Sequence, residues 1–162
     1  MIKSALTILF CCLLFACGES GTSVKPALPV DFEDSDSCHL CGMMITAYPG
    51  PKGQSYEADV NQVRKFCSTS DMILWFLKST DRNNIIEMYV HDINLSPWNN
   101  PDDKHLILAK KAYFVIGSKK NGSMGPTLAT FSQQGPAQDF ASEYGGKVLI
   151  FDKLIEELSA PN

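Results

Sequence analysis

Residues 41–48 read CGMMITAY, and the segments that follow them read PGPKGQ (49–54), SYEADV (55–60), SDMILWFLK (70–78) and IIEMYV (85–90). The segments 41–48 and 55–60, which a Pro/Gly loop separates, favour two strands, and the segment 85–90 favours a third. The segment 70–78, between the second and third strands, contains an apolar run that favours a helix, with Ser70 or Asp71 placed to cap it. This order predicts a ββαβ unit.

The same pattern returns in the second half of the chain. Its segments read AYFVI (112–116), GSKKNGSMGP (117–126), TLATF (127–131), PAQDFASEY (136–144) and KVLIF (147–151). Pro136 suits the first turn of a helix, where its missing N–H has no partner to lose. The sequence therefore predicts an α+β fold in which two tandem ββαβ units form one compact domain. The first unit spans residues 37–92, a connector spans 93–111, and the second unit spans 112–158.

The start of the chain has the composition of an export signal. Residues 1–16 contain a lysine followed by the apolar run ALTILFCCLLFA, which is shorter than the about 20 residues of a membrane-spanning helix. We therefore interpret them as a signal peptide. The sequence LFACG (14–18) resembles the lipobox of bacterial lipoproteins, which predicts that Cys17 is lipidated. Gly18 behind it favours the outer membrane, although the inner membrane is an alternative.

Residues 17–36 are predicted to form the lipid anchor and a flexible tether. The segment ESGTSVKPALPVDFEDSD (19–36) is polar, with two prolines and a cluster of acids. The whole chain carries a formal net charge of −4. Nucleic acid is therefore excluded as a partner, because phosphate binding needs a basic surface.

Cysteine usage limits the chemistry of the mature chain. Of the six cysteines, two leave with the signal peptide and one is lipidated, so that three remain: Cys38, Cys41 and Cys67. An odd number leaves at least one thiol unpaired in the oxidising periplasm. We interpret Cys67 as a small buried residue just ahead of the helix.

The segment CHLCGMM (38–44) places two thiols, one imidazole and two thioethers within seven residues. Thiolates and thioethers are soft ligands whose combination selects copper(I), whereas cysteine and histidine alone would suit zinc equally well. Side chains alternate between the faces of a strand, so Cys41 and Met43 are expected to share a face and to converge on one ion. Met44 is then expected to point into the core.

Other candidate residues lie around this motif and elsewhere. Met124 lies in the polar turn NGSMGP (121–126), where closing over a metal and packing under its own loop are both open interpretations. His39 lies inside the motif, and His91 precedes a carboxylate that can orient an imidazole. A surface position is the alternative for each histidine. Three residues are kept as additional metal or redox candidates: Cys38, Met44 and His91.

Two other functions remain open from the residues alone. Cys38 and Cys41 form a C-x-x-C motif, as in thiol–disulfide oxidoreductases, although such a motif opens a helix and turn residues follow here. Together with Cys67 and a histidine, the same cysteines could instead form the site of a zinc-stabilised binding module, although their spacing is incomplete for such a site. No nucleotide loop, Ser/His/Asp set or paired-carboxylate pattern is present, which favours a protein that is not an enzyme.

The motifs taken together resemble the NosL family, which are copper lipoproteins that serve the maturation of nitrous oxide reductase in denitrifying bacteria. The resemblance rests on the lipobox, the acidic tether, C-H-x-C-G-M-M-I, the Pro/Gly loop, W-x-N-P in the connector and the later S-M-G-P. It runs from Cys38 to Phe151. Cys41 and Met43 match the family's C-G-M copper motif, Met124 matches its later methionine, and His39 matches a frequent position.

This resemblance implies two ββαβ subdomains and copper(I) binding in the periplasm. It also implies delivery of copper to apo nitrous oxide reductase together with an associated membrane ABC-type complex. It assigns no third or fourth ligand and no role to Cys67. The sequence therefore predicts a lipid-anchored copper(I) metallochaperone.

Overall fold

The computed structural model describes residues 27–58 and 63–160. Within them the helices are α1 (Thr69–Lys78), α2 (Gln134–Tyr144) and α3 (Phe151–Ser159). The strands are β1 (Gly53–Glu57), β2 (Arg64–Phe66), β3 (Ile85–His91), β4 (Leu106–Leu108), β5 (Tyr113–Ile116), β6 (Asn121–Gly122), β7 (Gly125–Pro126), β8 (Ala129–Phe131) and β9 (Lys147–Ile150). Among these residues no helix combines the length and the apolar character that crossing a bilayer requires.

Two ββαβ units make up the fold. The first consists of β1, β2, α1 and β3, and its antiparallel sheet has the order β2-β1-β3-β4, with β4 supplied by the connector. The second consists of β5, β8, α2 and β9, and its antiparallel sheet has the order β8-β5-β9. The predicted α+β fold with two tandem units is confirmed.

A single hydrophobic core joins the two units. It contains Phe66 and Met72 from the first unit together with Phe114 and Leu154 from the second, all fully buried. A smaller cluster lies between α2 and the second sheet: Val115, Ala129, Phe131 and Ala137. Burial of each large side chain stabilises the fold by about 1.5–3 kcal/mol, so the units are held together by the main core rather than by their connector alone.

The predicted strand at residues 41–48 is wrong. This stretch is a turn followed by bends, and its one strand-like contact is an isolated bridge between Ser37 and Met44. Gly42 has φ +75°, a left-handed conformation that breaks any strand and that favours glycine. The first two strands of the unit are instead β1, which includes part of the predicted second strand, and β2, which the sequence analysis omitted.

Two helix predictions also need correction. The residue that caps α1 is Ser68, whose Oγ accepts a hydrogen bond from the backbone N–H of Asp71 at 3.0 Å, and neither Ser70 nor Asp71 has that role. The strand predicted to reach Phe151 ends one residue earlier, because Phe151 begins α3. Phe151 and Leu154 turn into the main core, which explains why a helix forms there.

Part of the predicted tether packs against the first sheet. The hydroxyl of Tyr89 donates a hydrogen bond to the carbonyl of Ala27 at 2.6 Å. The backbone N–H of Val30 donates to the side-chain oxygen of Gln54 at 3.1 Å, and the Gln54 amide donates back to the Val30 carbonyl. The packed domain therefore includes residues 27–36, ahead of the predicted start of the first unit. The predicted signal peptide, Cys17 and the first part of the tether lie outside the described residues.

Candidate metal centre

Four side chains from two separate parts of the first unit converge on one point: Cys38, Cys41, Cys67 and Asp71. Their potential ligand atoms all lie within 4.8 Å of one another. The Sγ atoms of Cys41 and Cys67 are 3.5 Å apart, and none of the three cysteines is in a disulfide. The cluster therefore offers three sulfur donors and one carboxylate to a metal ion.

A tight turn brings Cys38 and Cys41 to the same side of the chain. The N–H of Gly42 donates to the carbonyl of Cys38, and the N–H of Cys38 donates to the carbonyl of Met43, each at 2.8 Å. The positive φ of Gly42 allows the chain to reverse between these two hydrogen bonds. The N–H of His39 donates to the carbonyl of Lys65 at 2.8 Å, which fixes the turn against β2.

The start of α1 supplies the other two donors. Cys67 lies directly before the N-cap residue Ser68, and Asp71 lies in the first helical turn. The Cys67 thiol donates a hydrogen bond to Oδ2 of Asp71 at 3.0 Å. A carboxylate in this position also interacts favourably with the positive end of the helix dipole. The cap thus fixes both donors by setting where α1 begins.

The second unit reaches the cluster through the turn between β6 and β7. Oγ of Ser123 in that turn lies 3.0 Å from Sγ of Cys67. Two residues after β7, the chain is fixed to α1, because Oγ of Ser70 accepts a hydrogen bond from the N–H of Leu128 at 3.0 Å. Both units therefore contribute to the surroundings of the site.

Hydrogen bonds divide the three thiols into one acidic and two weakly acidic groups. The hydrogen bond from Cys67, together with backbone N–H groups, outweighs burial and holds the pKa of the Cys38 thiol well below its usual range. Burial raises the pKa of Cys41. The hydrogen bond to Cys38 and burial raise the pKa of Cys67. Negative charge is therefore centred on Cys38 when no metal is bound, which prepares one thiolate ligand.

Access to the cluster is one-sided. Cys38 and Cys67 are 2% and 0% exposed, whereas Cys41 is exposed. Two methionines near these residues in the sequence are also exposed: Met44, three residues after Cys41, at 58%, and Met124, directly after Ser123, at 65%. An incoming ion or partner ligand would therefore meet Cys41 before the two buried thiols.

A profile described as NosL matches residues 29–159 of the chain. The chain belongs to the NosL family. The copper-binding lipoprotein NosL of Stutzerimonas stutzeri is 44% identical over 153 residues, which cover 94% of this chain and 80% of the relative. The protein of the same name from Achromobacter cycloclastes is 30% identical over 149 residues, covering 90% and 76% of the two chains. The crystal structure of the copper chaperone NosL from Shewanella denitrificans matches with a TM-score of 0.78 at 43% identity, covering 80% of this chain and 96% of that one.

The residues that the sequence analysis predicted as copper ligands lie at different places in the structure. Cys41 belongs to the cluster, and Met43 is half-buried two residues further along the same turn. Met124 lies on the exposed tip of the β6–β7 turn, beside the serine that contacts Cys67. The argument that Cys41 and Met43 share a strand face is wrong, since no strand forms there. Met44 is exposed, so its prediction as a core residue is also wrong.

The two candidate histidines lie outside the four-residue cluster. His39 is turned toward the guanidinium of Arg64, with Nε2 at 3.0 Å from NH1, and its ring packs edge-on against Phe66 and Trp75. His91 is 1% exposed. Its Nδ1 accepts from the N–H of Lys52 at 3.0 Å, and its Nε2 contacts Oδ1 of Asp103 at 2.8 Å. Both ring nitrogens of His91 are engaged, so its proposed role as an additional ligand does not fit the structure.

The sequence analysis missed Asp71 as a site residue and favoured a packing role for Cys67 over membership of a zinc site. Cys67 is indeed buried, yet its thiol contacts Cys41, Asp71 and Ser123. The odd number of cysteines was the signal that a further thiol belonged to the site. The C-x-x-C motif lies in a turn. A thiol–disulfide oxidoreductase of the thioredoxin type would have it at the start of a helix.

Proposed function

We propose that this chain is a periplasmic, membrane-anchored copper(I) metallochaperone and not an enzyme. The observation that carries the proposal is the convergence of three unpaired thiols within 4.8 Å of one another. Thiolate and thioether sulfur are both soft, and their combination favours copper(I). The relatives named as copper-binding lipoproteins and as a copper chaperone support the same metal for this chain.

The geometry explains how copper(I) can be both held and released. The buried thiols of Cys38 and Cys67 exclude water and retain the ion, while the exposed thiol of Cys41 can be replaced by a ligand of an acceptor protein. Thioethers from Met43 and Met124 are proposed to join the coordination at the open side. They need no deprotonation, so they can remain ligands while thiolates are exchanged one at a time.

The acceptor we propose is apo nitrous oxide reductase, reached together with its membrane ABC-type maturation complex. The resemblance of the C-G-M motif and the later S-M-G-P to NosL supports this destination. Lipidation of Cys17 would hold the chaperone at the periplasmic face of a membrane, with the outer membrane favoured. The packed residues 27–36 would then place the domain closer to its anchor than a fully flexible tether would.

Copper binding is tested by an anaerobic competition titration of the reduced, detergent-solubilised protein against a chromogenic copper(I) chelator. The wild type is expected to hold one copper(I), and Cys41→Ala or Cys67→Ala is expected to weaken it by at least about 10-fold. Met43→Ala is compared with Met44→Ala, its neighbour in the same turn, and Met124→Ala tests the second unit. If the wild type and the cysteine variants compete equally poorly, the copper proposal fails.

Delivery is tested separately by mixing the copper-loaded protein with apo nitrous oxide reductase and the ABC-type complex. Copper should appear in the reductase, and the transfer should be slower from a protein with Met124→Ala if that thioether assists exchange. Copper binding without any transfer would retain the metal site and refute the proposed acceptor.

A further inference from the structure

Trp98 links three segments of the chain close to the metal cluster. It opens the W-x-N-P motif at residues 98–101 of the connector, and the function proposed above uses none of its atoms. Its backbone carbonyl accepts a hydrogen bond from the N–H of Gly50 in the Pro/Gly loop at 2.7 Å. Its indole N–H donates to the carbonyl of Asn121 in β6 at 3.0 Å. The connector is therefore bonded to the first unit on one side and to the second unit on the other.

The Trp98 ring is itself held in place. It stacks on the ring of Phe140 in α2, with centroids 5.6 Å apart and planes inclined by 23°. The ammonium of Lys120, the residue before β6, lies 4.9 Å from the centre of the same ring. Aromatic stacking and a cation over the face of a ring are both favourable contacts. The indole N–H therefore reaches Asn121 from a fixed direction.

Backbone packing closes the same junction. A Cβ built on Gly50 would lie 3.3 Å from Cα of Gly122 and 3.4 Å from the Trp98 ring. A Cβ built on Gly122 would lie 2.9 Å from Cγ2 of Thr127, which follows β7. The Pro/Gly loop and β6 thus pack backbone against backbone, because glycine leaves room for this approach. The strand β6 therefore has little freedom to shift relative to the first unit.

The fixed strand leads into the turn that covers the metal cluster. Ser123 follows Asn121 by two residues, and its Oγ lies 3.0 Å from Sγ of Cys67. Met124, the proposed thioether ligand, comes next in the chain. Two residues of chain span at most about 7 Å, so a hydrogen bond at Asn121 limits where both side chains can lie.

We propose that Trp98 is a positioning residue for the metal site. Its indole N–H fixes the β6–β7 turn, so that Ser123 stays against Cys67 and Met124 stays within reach of a bound ion. It thereby slows the release of copper(I). The positioning of the turn stands on the contacts described above, and the effect on copper rests on the proposed function.

The alternative is that Trp98 serves only the packing of the second unit. Its ring packs against the smaller hydrophobic cluster between α2 and the second sheet. Loss of that packing would weaken the whole unit, so the amides of the second sheet would exchange faster together with those of the turn. Loss of positioning would affect the turn and leave the sheet unchanged. The pattern of amide exchange therefore separates the two roles.

The first test compares the reduced, metal-free, detergent-solubilised full chain with Trp98→Phe and with the control Tyr144→Phe. Trp98→Phe keeps an aromatic ring in place but removes the N–H. Tyr144→Phe also removes one polar atom from a ring beside Lys120, yet it leaves the hydrogen bond to Asn121 intact. In Trp98→Phe, amide hydrogen exchange followed by NMR is expected to be about 3–10-fold faster at residues 121–128, which corresponds to the loss of one hydrogen bond, and to change by less than about 2-fold in β5. The control should change neither.

The rate of copper(I) release gives a second readout. Copper-loaded protein is mixed with an excess of a chromogenic chelator, and Trp98→Phe is expected to release copper(I) about 3–10-fold faster than the wild type. In a chain that already contains Met124→Ala, the same substitution should change the rate by less than about 2-fold, because Trp98 acts through the turn that carries this thioether.

Two results would overturn the inference. One is amide exchange that rises equally in the turn and in β5, or that stays unchanged in the turn. The other is an equal acceleration of copper(I) release with and without Met124. If the wild type holds no copper(I), the proposed function fails, and amide exchange alone decides whether Trp98 positions the turn. If copper(I) is held and Trp98→Phe releases it at the wild-type rate, only the present inference fails.

Discussion

Replacement of Gly42 by alanine isolates the contribution of the cysteine turn. Gly42 has φ +75°, and a Cβ built on it would have no heavy atom within 4 Å. The substitution therefore introduces no collision and acts through backbone strain alone. An L-residue other than glycine in the left-handed region costs roughly 1–2 kcal/mol, partly offset because alanine also reduces the freedom of the unfolded chain.

The net expected loss in the free energy of unfolding is about 1 kcal/mol, which corresponds to roughly 3–5 °C in the melting temperature of a domain of this size. Gly42→Asn should lose less, since asparagine tolerates this region better. If strain is relieved by opening the turn, Cys38 and Cys41 separate. Copper(I) affinity should then fall by about 5-fold, the equivalent of 1 kcal/mol.

Urea unfolding of the reduced metal-free protein and the chelator competition measure the two effects. The matched control is Gly135→Ala in α2, where a Cβ also has nothing within 4 Å and the backbone is helical. There alanine should stabilise by a few tenths up to about 1 kcal/mol. If Gly42→Ala stabilises the protein as Gly135→Ala does, the turn does not have a positive φ in solution and the account of the site is refuted.

Copper(I) affinity should rise by up to about 100-fold per pH unit near neutrality, because Cys41 and Cys67 have raised pKa values and each must release a proton when copper binds. A series of chelator competitions at different pH values, corrected for the pH dependence of the chelator, measures this, and an affinity that does not change with pH would contradict it. Gly53→Ala should cost about 1–3 kcal/mol in urea unfolding, because its Cβ would lie 2.6 Å from Sδ of Met72. His91→Ala should cost roughly 2–4 kcal/mol in the free energy of unfolding, since it leaves the Lys52 N–H and Oδ1 of Asp103 without their partner. Copper(I) affinity should stay unchanged, and a loss of affinity at equal folding would return His91 to the site.

The regular elements were readable from the sequence because their signals are local. The apolar residues of α1 form one continuous run over residues 72–77. Of this run, Met72, Ile73 and Phe76 lie on one face of the helix and become buried. The strands β3, β5 and β9 follow their apolar runs to within one or two residues. The signal for α3 was also present, since Phe151, Leu154 and Leu158 recur at helical intervals after the last strand. It was missed because the apolar run KVLIF was assigned whole to the strand.

Only part of the site could be predicted from the sequence, because tertiary packing brings its distant residues together. The motif around Cys38 and Cys41 indicated binding of a soft metal. Its C-G-M-M-I run, however, has a composition typical of a strand, and the positive φ of Gly42 shows that the chain turns there instead. Nothing near Cys67 in the sequence indicates that β2 carries it alongside that turn. Likewise, the contact between Ser123 and Cys67 spans 56 residues and depends on how the two units pack.

The position of the site between the two units has a consequence for metal exchange. Cys38 and Cys41 come from a turn, Cys67 from the start of α1, and the covering Ser123 from the other unit. A small relative movement of the β6–β7 turn would therefore change access to the cluster without altering the sheet that holds the cysteines. Cys41 is exposed while Cys38 and Cys67 are buried, so the three sulfurs already differ in their access to an acceptor. Retention by two buried sulfurs and release through one exposed sulfur thus need no change of fold, which is what a carrier of an exchangeable ion requires.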